Sequence, residues 1–124
     1  MDVKAFYEAI GGNYDEAIGR LMRDSMIEKY VKKFVNDQTF ETLRAAIQEN
    51  RVDDAFAAAH TLKGVAMNFA FATLSRSATK LTDSLRPQNR DALTPGMAET
   101  LFADVQADYE AVIAQIERCA ASAE

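Results

Sequence analysis

Three residues one helical turn apart hold the chemistry this sequence can offer. They are His60, Lys63 and Gly64, in the run Ala58-Ala59-His60-Thr61-Leu62-Lys63-Gly64-Val65-Ala66-Met67-Asn68-Phe69. His60 is the chain's only histidine. A neutral imidazole is a good nucleophile near neutral pH. A lysine one turn later sets a point charge where phosphate oxygens would lie. The glycine costs roughly 1 kcal/mol of helix stability against alanine, and clearance beside a modified imidazole offsets that cost. On a helix turning ~100° per residue, Phe56, Ala59, Leu62, Ala66 and Phe69 are assigned to the core. His60, Lys63, Gly64 and Met67 fall on a side roughly 130° away. The core does not need His60, and its face reads as a surface for phosphoryl transfer. Met67, flexible and apolar, suits partner docking on that face.

Other chemistries lack their parts. With one histidine, any Ser-His-Asp or Cys-His arrangement would have to use His60 itself. The single cysteine, Cys119, lies far away and reads as a small apolar residue near a helix end. The positions at i±3 and i±4 from His60 are Phe56, Ala57, Lys63 and Gly64, so no helical metal site is expected. No glycine loop of the phosphate-cradling kind is present. Asp15-Glu16 and Asp53-Asp54 read as solvated carboxylates at helix starts, where the helix dipole favours them.

The net charge of −5 argues against nucleic acid, which needs a basic face. No apolar run approaches the ~20 residues needed to cross a bilayer. Asp2, Lys4 and Glu8 interrupt the start, so no secretory leader is expected. A lone cysteine fits a reducing cytoplasm. The 124 residues suit one domain, and a monomer is the simplest expectation.

These residues must be positioned by helices. Only two prolines and five glycines interrupt an alanine-rich chain, and no stretch alternates with period two. Residues 2–10 predict a short helix capped by Asp2 and stopped by Gly11-Gly12. Residues 14–22 and 25–36 carry Ile18, Leu21, Met22, Met26, Ile27, Tyr30, Val31 and Phe34 at helical spacing, with Asp24 as cap of the second. Residues 39–50 place Phe40, Leu43 and Ile47 on one face, before a tight turn at Asn50-Arg51. The His60 helix spans 53–69. Residues 72–86 carry Leu74, Ala78, Leu81 and Leu85. The stretch from Arg86 to Thr94 reads as a loop. Thr94-Pro95 reads as a cap and first helical position for a helix over 95–120. The expected fold is all-α: an up-down-up-down four-helix bundle over 39–120, with N-terminal helices over 1–36 covering one end or flank.

The run His60-Thr61-Leu62-Lys63-Gly64, its alanine lead-in, Asn68, and Leu74 and Leu81 together resemble the histidine-containing phosphotransfer (HPt) domain family. The resemblance covers residues 14 to 118. It implies a four-helix bundle whose exposed histidine accepts a phosphoryl group from a receiver-domain aspartate or a kinase and passes it on. It implies response-regulator receiver domains and a hybrid or sensor histidine kinase as partners. It implies no catalysis and no cofactor of the chain's own, with magnesium supplied by the receiver. The resemblance places Thr82 where the family often has glutamine or glutamate to orient the imidazole. Arg86, one turn later, is set to reach the phosphate or the partner. Ala70 stands where the family usually has glycine.

Two other readings compete with a free-standing phosphocarrier. One is the phosphoacceptor module of a chemotaxis-type kinase, which the absence of a kinase core from these residues disfavours. The other is a phosphorylation-independent helical adaptor, which leaves a histidine, lysine and glycine on one exposed face unexplained.

Overall fold

The computed structural model describes residues 1–122, with side chains up to residue 119. Among these residues its regular structure is all helical, without a strand. The order is α1 (Val3–Ala9), α2 (Tyr14–Leu21), α3 (Asp24–Phe34), α4 (Thr39–Gln48), α5 (Val52–Asn68), α6 (Ala72–Leu85), a 3-10 turn (Pro87–Ala92) and α7 (Met97–Ser122). Helix α5 packs on α4 and α6, α6 packs on α7, and α7 returns against α4. This closes the expected four-helix bundle. Its core holds Phe40, Leu43 and Ile47 from α4, Leu62 from α5, Leu74, Leu81 and Leu85 from α6, and Val105, Val112 and Ile116 from α7.

Three helix ends turn by the same device. After α1, Gly12 N donates to Tyr7 O at 2.9 Å and Gly11 has φ +65°. After α4, Arg51 N donates to Ala46 O at 2.9 Å and Asn50 has φ +55°. After α5, Phe71 N donates to Ala66 O at 2.9 Å and Ala70 has φ +56°. Each is a left-handed residue just past the helix, with the next amide bonded back onto the last turn. Glycine and asparagine tolerate that conformation. Ala70 bears a steric cost there, and its buried methyl group in the core offsets part of it.

Helices α1–α3 close over the α5–α6 turn. Tyr7 Oη donates to Phe69 O at 2.7 Å, and Asn13 N donates to Ala70 O at 2.9 Å. Arg20 Nη1 donates to Met67 O. Thr73 Oγ1 donates to Gly11 O at 3.1 Å, a close approach where a Cβ on Gly11 would meet Thr73 Oγ1 at 2.3 Å. Phe34, near the end of α3, packs its ring 5.5 Å from Phe71 and 5.7 Å from Tyr109. The N-terminal helices thus cover the end of the bundle where α5 finishes.

Four local expectations are corrected. Met22 is 83% exposed at the end of α2 with φ +74°, so it is not part of the core stripe. Asp24 lies inside α3, not at its cap: Arg23 holds the cap position and the Asp24 carboxylate accepts from Tyr14 Oη at 2.6 Å. The stretch after α6 is a 3-10 turn, not an open loop. Pro87 forces Arg86 into extended backbone, which ends α6, and then starts the turn. Arg90 anchors that turn by donating to Leu85 O at 3.0 Å and to Asp53 Oδ1 at 2.6 Å. Pro95 does not open α7. Pro95 and Gly96 fill the centre of a β-turn closed by Met97 N donating to Thr94 O at 3.0 Å, with Gly96 at φ +81°.

Tyr7 is fully buried, and burial holds its phenol well above the ordinary tyrosine pKa. The folded state therefore favours the neutral phenol. That stabilisation is complete below about pH 10, where unfolded tyrosine ionises, and is lost as pH rises beyond it toward the folded-state value. Tyr7→Phe is expected to lower unfolding free energy by about 1 kcal/mol at neutral pH, because Phe69 O loses its donor. It should also flatten the loss of stability above pH ~10. Urea titrations of both proteins between neutral and strongly alkaline pH measure the two effects.

Candidate functional site

Helix α5 separates its two jobs by face. Ala55, Ala58, Ala59, Leu62 and Ala66 are buried, while His60, Thr61, Gly64, Met67 and Asn68 are exposed. His60 therefore projects from mid-helix into solvent, as its spacing predicts. Among the described residues it makes no hydrogen bond and no ion pair. Its ring contact is with Phe56, four residues earlier: centroids 6.0 Å apart, planes inclined by 2°.

Lys63 is half-buried on the same side of α5, and among the described residues its ammonium has no carboxylate partner. It is available to an incoming anion. A Cβ built on Gly64 meets no atom within 4 Å, and its φ is not left-handed. Neither packing nor backbone conformation requires glycine there, which leaves open space beside the imidazole as its consequence. Met67 is 45% exposed one turn further on. Its carbonyl is held by Arg20, whose Nη2 also pairs with Glu16 at 2.8 Å. The structure thus gathers His60, Lys63, Gly64 and Met67 on one face.

Thr82 does not join them. It has no solvent exposure, and its hydroxyl donates to Ala78 O at 2.7 Å on its own helix. Its only proton is committed to that bond, and a buried hydroxyl is out of reach of a phosphoryl group on an outward-facing ring. Thr82 is corrected from an orienting residue to a core residue of α6. Arg86 lies nearer the site. Its guanidinium carbon is 5.8 Å from the Phe56 ring centroid, and its Nε donates to Asp83 Oδ1 at 3.0 Å.

Phe56, assigned to the core from its spacing, packs against the core only in part and also reaches the His60 face. Four steps of ~100° bring it to within about 40° of His60, the usual i, i+4 neighbour. Its ring is half-buried, resting on the core at one edge and facing His60 and Arg86. The spacing alone would have revealed it.

Among the described residues, no three His, Cys, Asp or Glu side chains are grouped to hold a metal ion. No helix there is long and apolar enough to cross a membrane. Cys119 is a free, half-buried thiol packed against the core.

An exposed histidine in the middle of a bundle helix is the geometry on which the family comparison bears. The model of the Hpt domain matches residues 35–119, which span α4 through α7 and include His60. The chain belongs to the Hpt domain family. No curated protein and no solved structure matches it. As an Hpt domain the chain is a phosphotransfer module of two-component signalling, a class that carries phosphoryl groups and works with receiver domains and kinases. Helices α1–α3 lie outside the matched span. The cover they form over the α5–α6 turn therefore also lies outside it.

The open space at Gly64 gives a stability prediction. Gly64→Ala should leave the bundle intact and raise its stability by up to about 1 kcal/mol, since a methyl group adds helix propensity and meets nothing. Thermal unfolding followed by circular dichroism should show a higher midpoint. A lower midpoint would mean that the site is tighter than this geometry.

Proposed function

We propose that this Hpt domain is a histidine phosphocarrier that takes a phosphoryl group onto His60 from a receiver-domain aspartate and returns it to another. The observation that supports this best is His60 itself: exposed, without a hydrogen-bonding or ionic partner among the described residues, and flanked by Lys63 and Gly64. The ring nitrogen attacks the phosphorus of the aspartyl phosphate. An N–P bond forms, the P–O bond to the aspartate breaks, and the carboxylate leaves. The imidazole's remaining N–H proton passes to solvent. Nε2 is the attacking atom, being the more accessible nitrogen of an outward-facing ring.

Lys63 is placed to neutralise charge on the transferring oxygens as they cross to the imidazole. Gly64 leaves room for the phosphoryl group and for the receiver loop that delivers it. Met67 offers apolar contact at the edge of the covered surface. Arg86 supplies a second cation at the margin of the site, held back by Asp83 in the unphosphorylated state. The carrier needs no cofactor of its own in this scheme; magnesium belongs to the receiver. The chain's place is the cytoplasm, with its partners.

His60→Gln should abolish the acid-labile phosphoryl label acquired from a phosphorylated receiver domain. A label that persists in this variant would remove His60 from the mechanism. Gly64→Gln should block transfer in a folded bundle. Lys63→Ala should slow the transfer step at saturating receiver, whereas Met67→Asp should chiefly weaken complex formation. Rapid-quench kinetics across receiver concentrations separate the two defects, and wild-type behaviour in both variants would place docking on another face.

A further inference from the structure

An imidazole that transfers phosphoryl groups must present one nitrogen along the line of attack, so its ring plane has to be held. In this chain no hydrogen bond among the described residues does so. Thr82 is buried and bonded to Ala78 O, and no described side chain or carbonyl bonds to either nitrogen of His60. What touches the ring is Phe56, parallel to it within 2°. Phe56 is itself constrained, because one edge rests on the core and Arg86 lies 5.8 Å from its centroid. Arg86 is fixed in turn by Asp83 at 3.0 Å and by its extended backbone just before Pro87. The order of support runs from the end of α6 through Arg86 and Phe56 to His60.

We propose that Phe56 is the positioning residue of the His60 imidazole, holding its plane by stacking where no hydrogen bond does. The proposal rests on His60 being the phosphorylated residue. Offset parallel rings attract through their quadrupoles. An aromatic face limits rotation about the ring's terminal torsion, which is otherwise broad. It leaves both nitrogens open, so the face contact does not compete with the phosphoryl group for the attacking lone pair. The flat contact also survives transfer, because the new N–P bond lies in the ring plane.

The test compares Phe56→Leu, Phe56→Ala and Phe56→Tyr with the wild type, using a receiver domain charged with acetyl phosphate as donor. Circular dichroism establishes that each variant is folded, and Phe56→Leu keeps most of the apolar volume if Phe56→Ala does not fold. Phe56→Leu should lower the transfer rate at saturating receiver by roughly 10-fold, as loss of orientation does, with half-saturation unchanged. Phe56→Tyr should keep the wild-type rate. In proton NMR, the His60 Hδ2 and Hε1 resonances should shift in Phe56→Leu as the ring current disappears, and stay near wild type in Phe56→Tyr. Wild-type saturating transfer in Phe56→Leu overturns the proposal, as does an equal loss in Phe56→Tyr and Phe56→Leu. If the wild type itself takes no label on His60, from a receiver or from phosphoramidate, the phosphocarrier reading fails instead.

Discussion

Between Val52 and Asn68, the residues that α5 turns inward are Ala55, Ala58, Ala59, Leu62 and Ala66. Four of the five are alanines, so α5 brings little apolar area of its own to the core. It is held by larger side chains from its neighbours: Leu43 and Ile47 of α4, and Leu74, Leu81 and Leu85 of α6. Small residues on the inner face allow close approach of both flanking helices. They also settle where the large groups of α5 go. Phe56, His60, Lys63 and Met67 are left at the boundary or outside it. The exposure of His60 follows from this distribution, because nothing inside has a place for an imidazole.

A helix packed this way needs its ends secured, and the two ends are secured by different parts of the chain. At its start, Asp53 is bound by Arg90 from the 3-10 turn, and Arg51 bridges Glu49 and Asp54. These pairs are exposed, and each contributes only a fraction of a kcal/mol. At its finish, the carbonyls of Met67, Phe69 and Ala70 accept from Arg20, Tyr7 and Asn13. A helix ends with several unbonded carbonyls and a partial negative charge. Here α1, α2 and the cap residue of α2 supply donors to this end, one of them cationic and added to the Ala70 N–H that Met67 O already accepts. The segment outside the family match therefore acts on the stability of the helix that bears the site, although its helices lie at the end of the bundle.

The sequence made much of this legible. Period-3.6 spacing placed the helices, and Leu74, Ala78, Leu81 and Leu85 are buried together as that spacing required. Gly11-Gly12 and Asn50-Arg51 marked their turns because glycine and asparagine adopt left-handed backbone readily. Ala70 could not be read in that way: its residue type gives no sign of the conformation that the closing bonds of α5 impose. Thr82 was misjudged because helix periodicity was not applied to it. One position after Leu81 and four after Ala78, it follows the buried stripe of α6, and a threonine hydroxyl can satisfy itself on the preceding turn. Phe56 was read only in part: it does pack against the core, but its second contact, with His60, was not drawn from the spacing. Its angle to His60 was in the sequence all along.

Thr82 is turned into the core and Phe56 toward the imidazole, and the two kinds of neighbour would constrain that ring differently. A hydrogen-bonding residue on α6 would fix both the plane of the imidazole and its tautomer, because a bond to one nitrogen decides which one keeps the lone pair. A stacked ring on α5 fixes the plane alone. The tautomer is then free to respond to whatever approaches. If His60 both receives and donates as proposed, that freedom has a consequence for mechanism. The proton on the far nitrogen can leave to solvent after the N–P bond forms and return before it breaks, with no protein group to be displaced in either direction. On this face Lys63 is a cation without a carboxylate partner among the described residues, whereas Arg86, against Phe56, is paired with Asp83. Such a site is organised less by polar bonds than by what surrounds it: an alanine core that keeps the histidine out, a glycine that keeps space beside it, and an aromatic neighbour that keeps it flat.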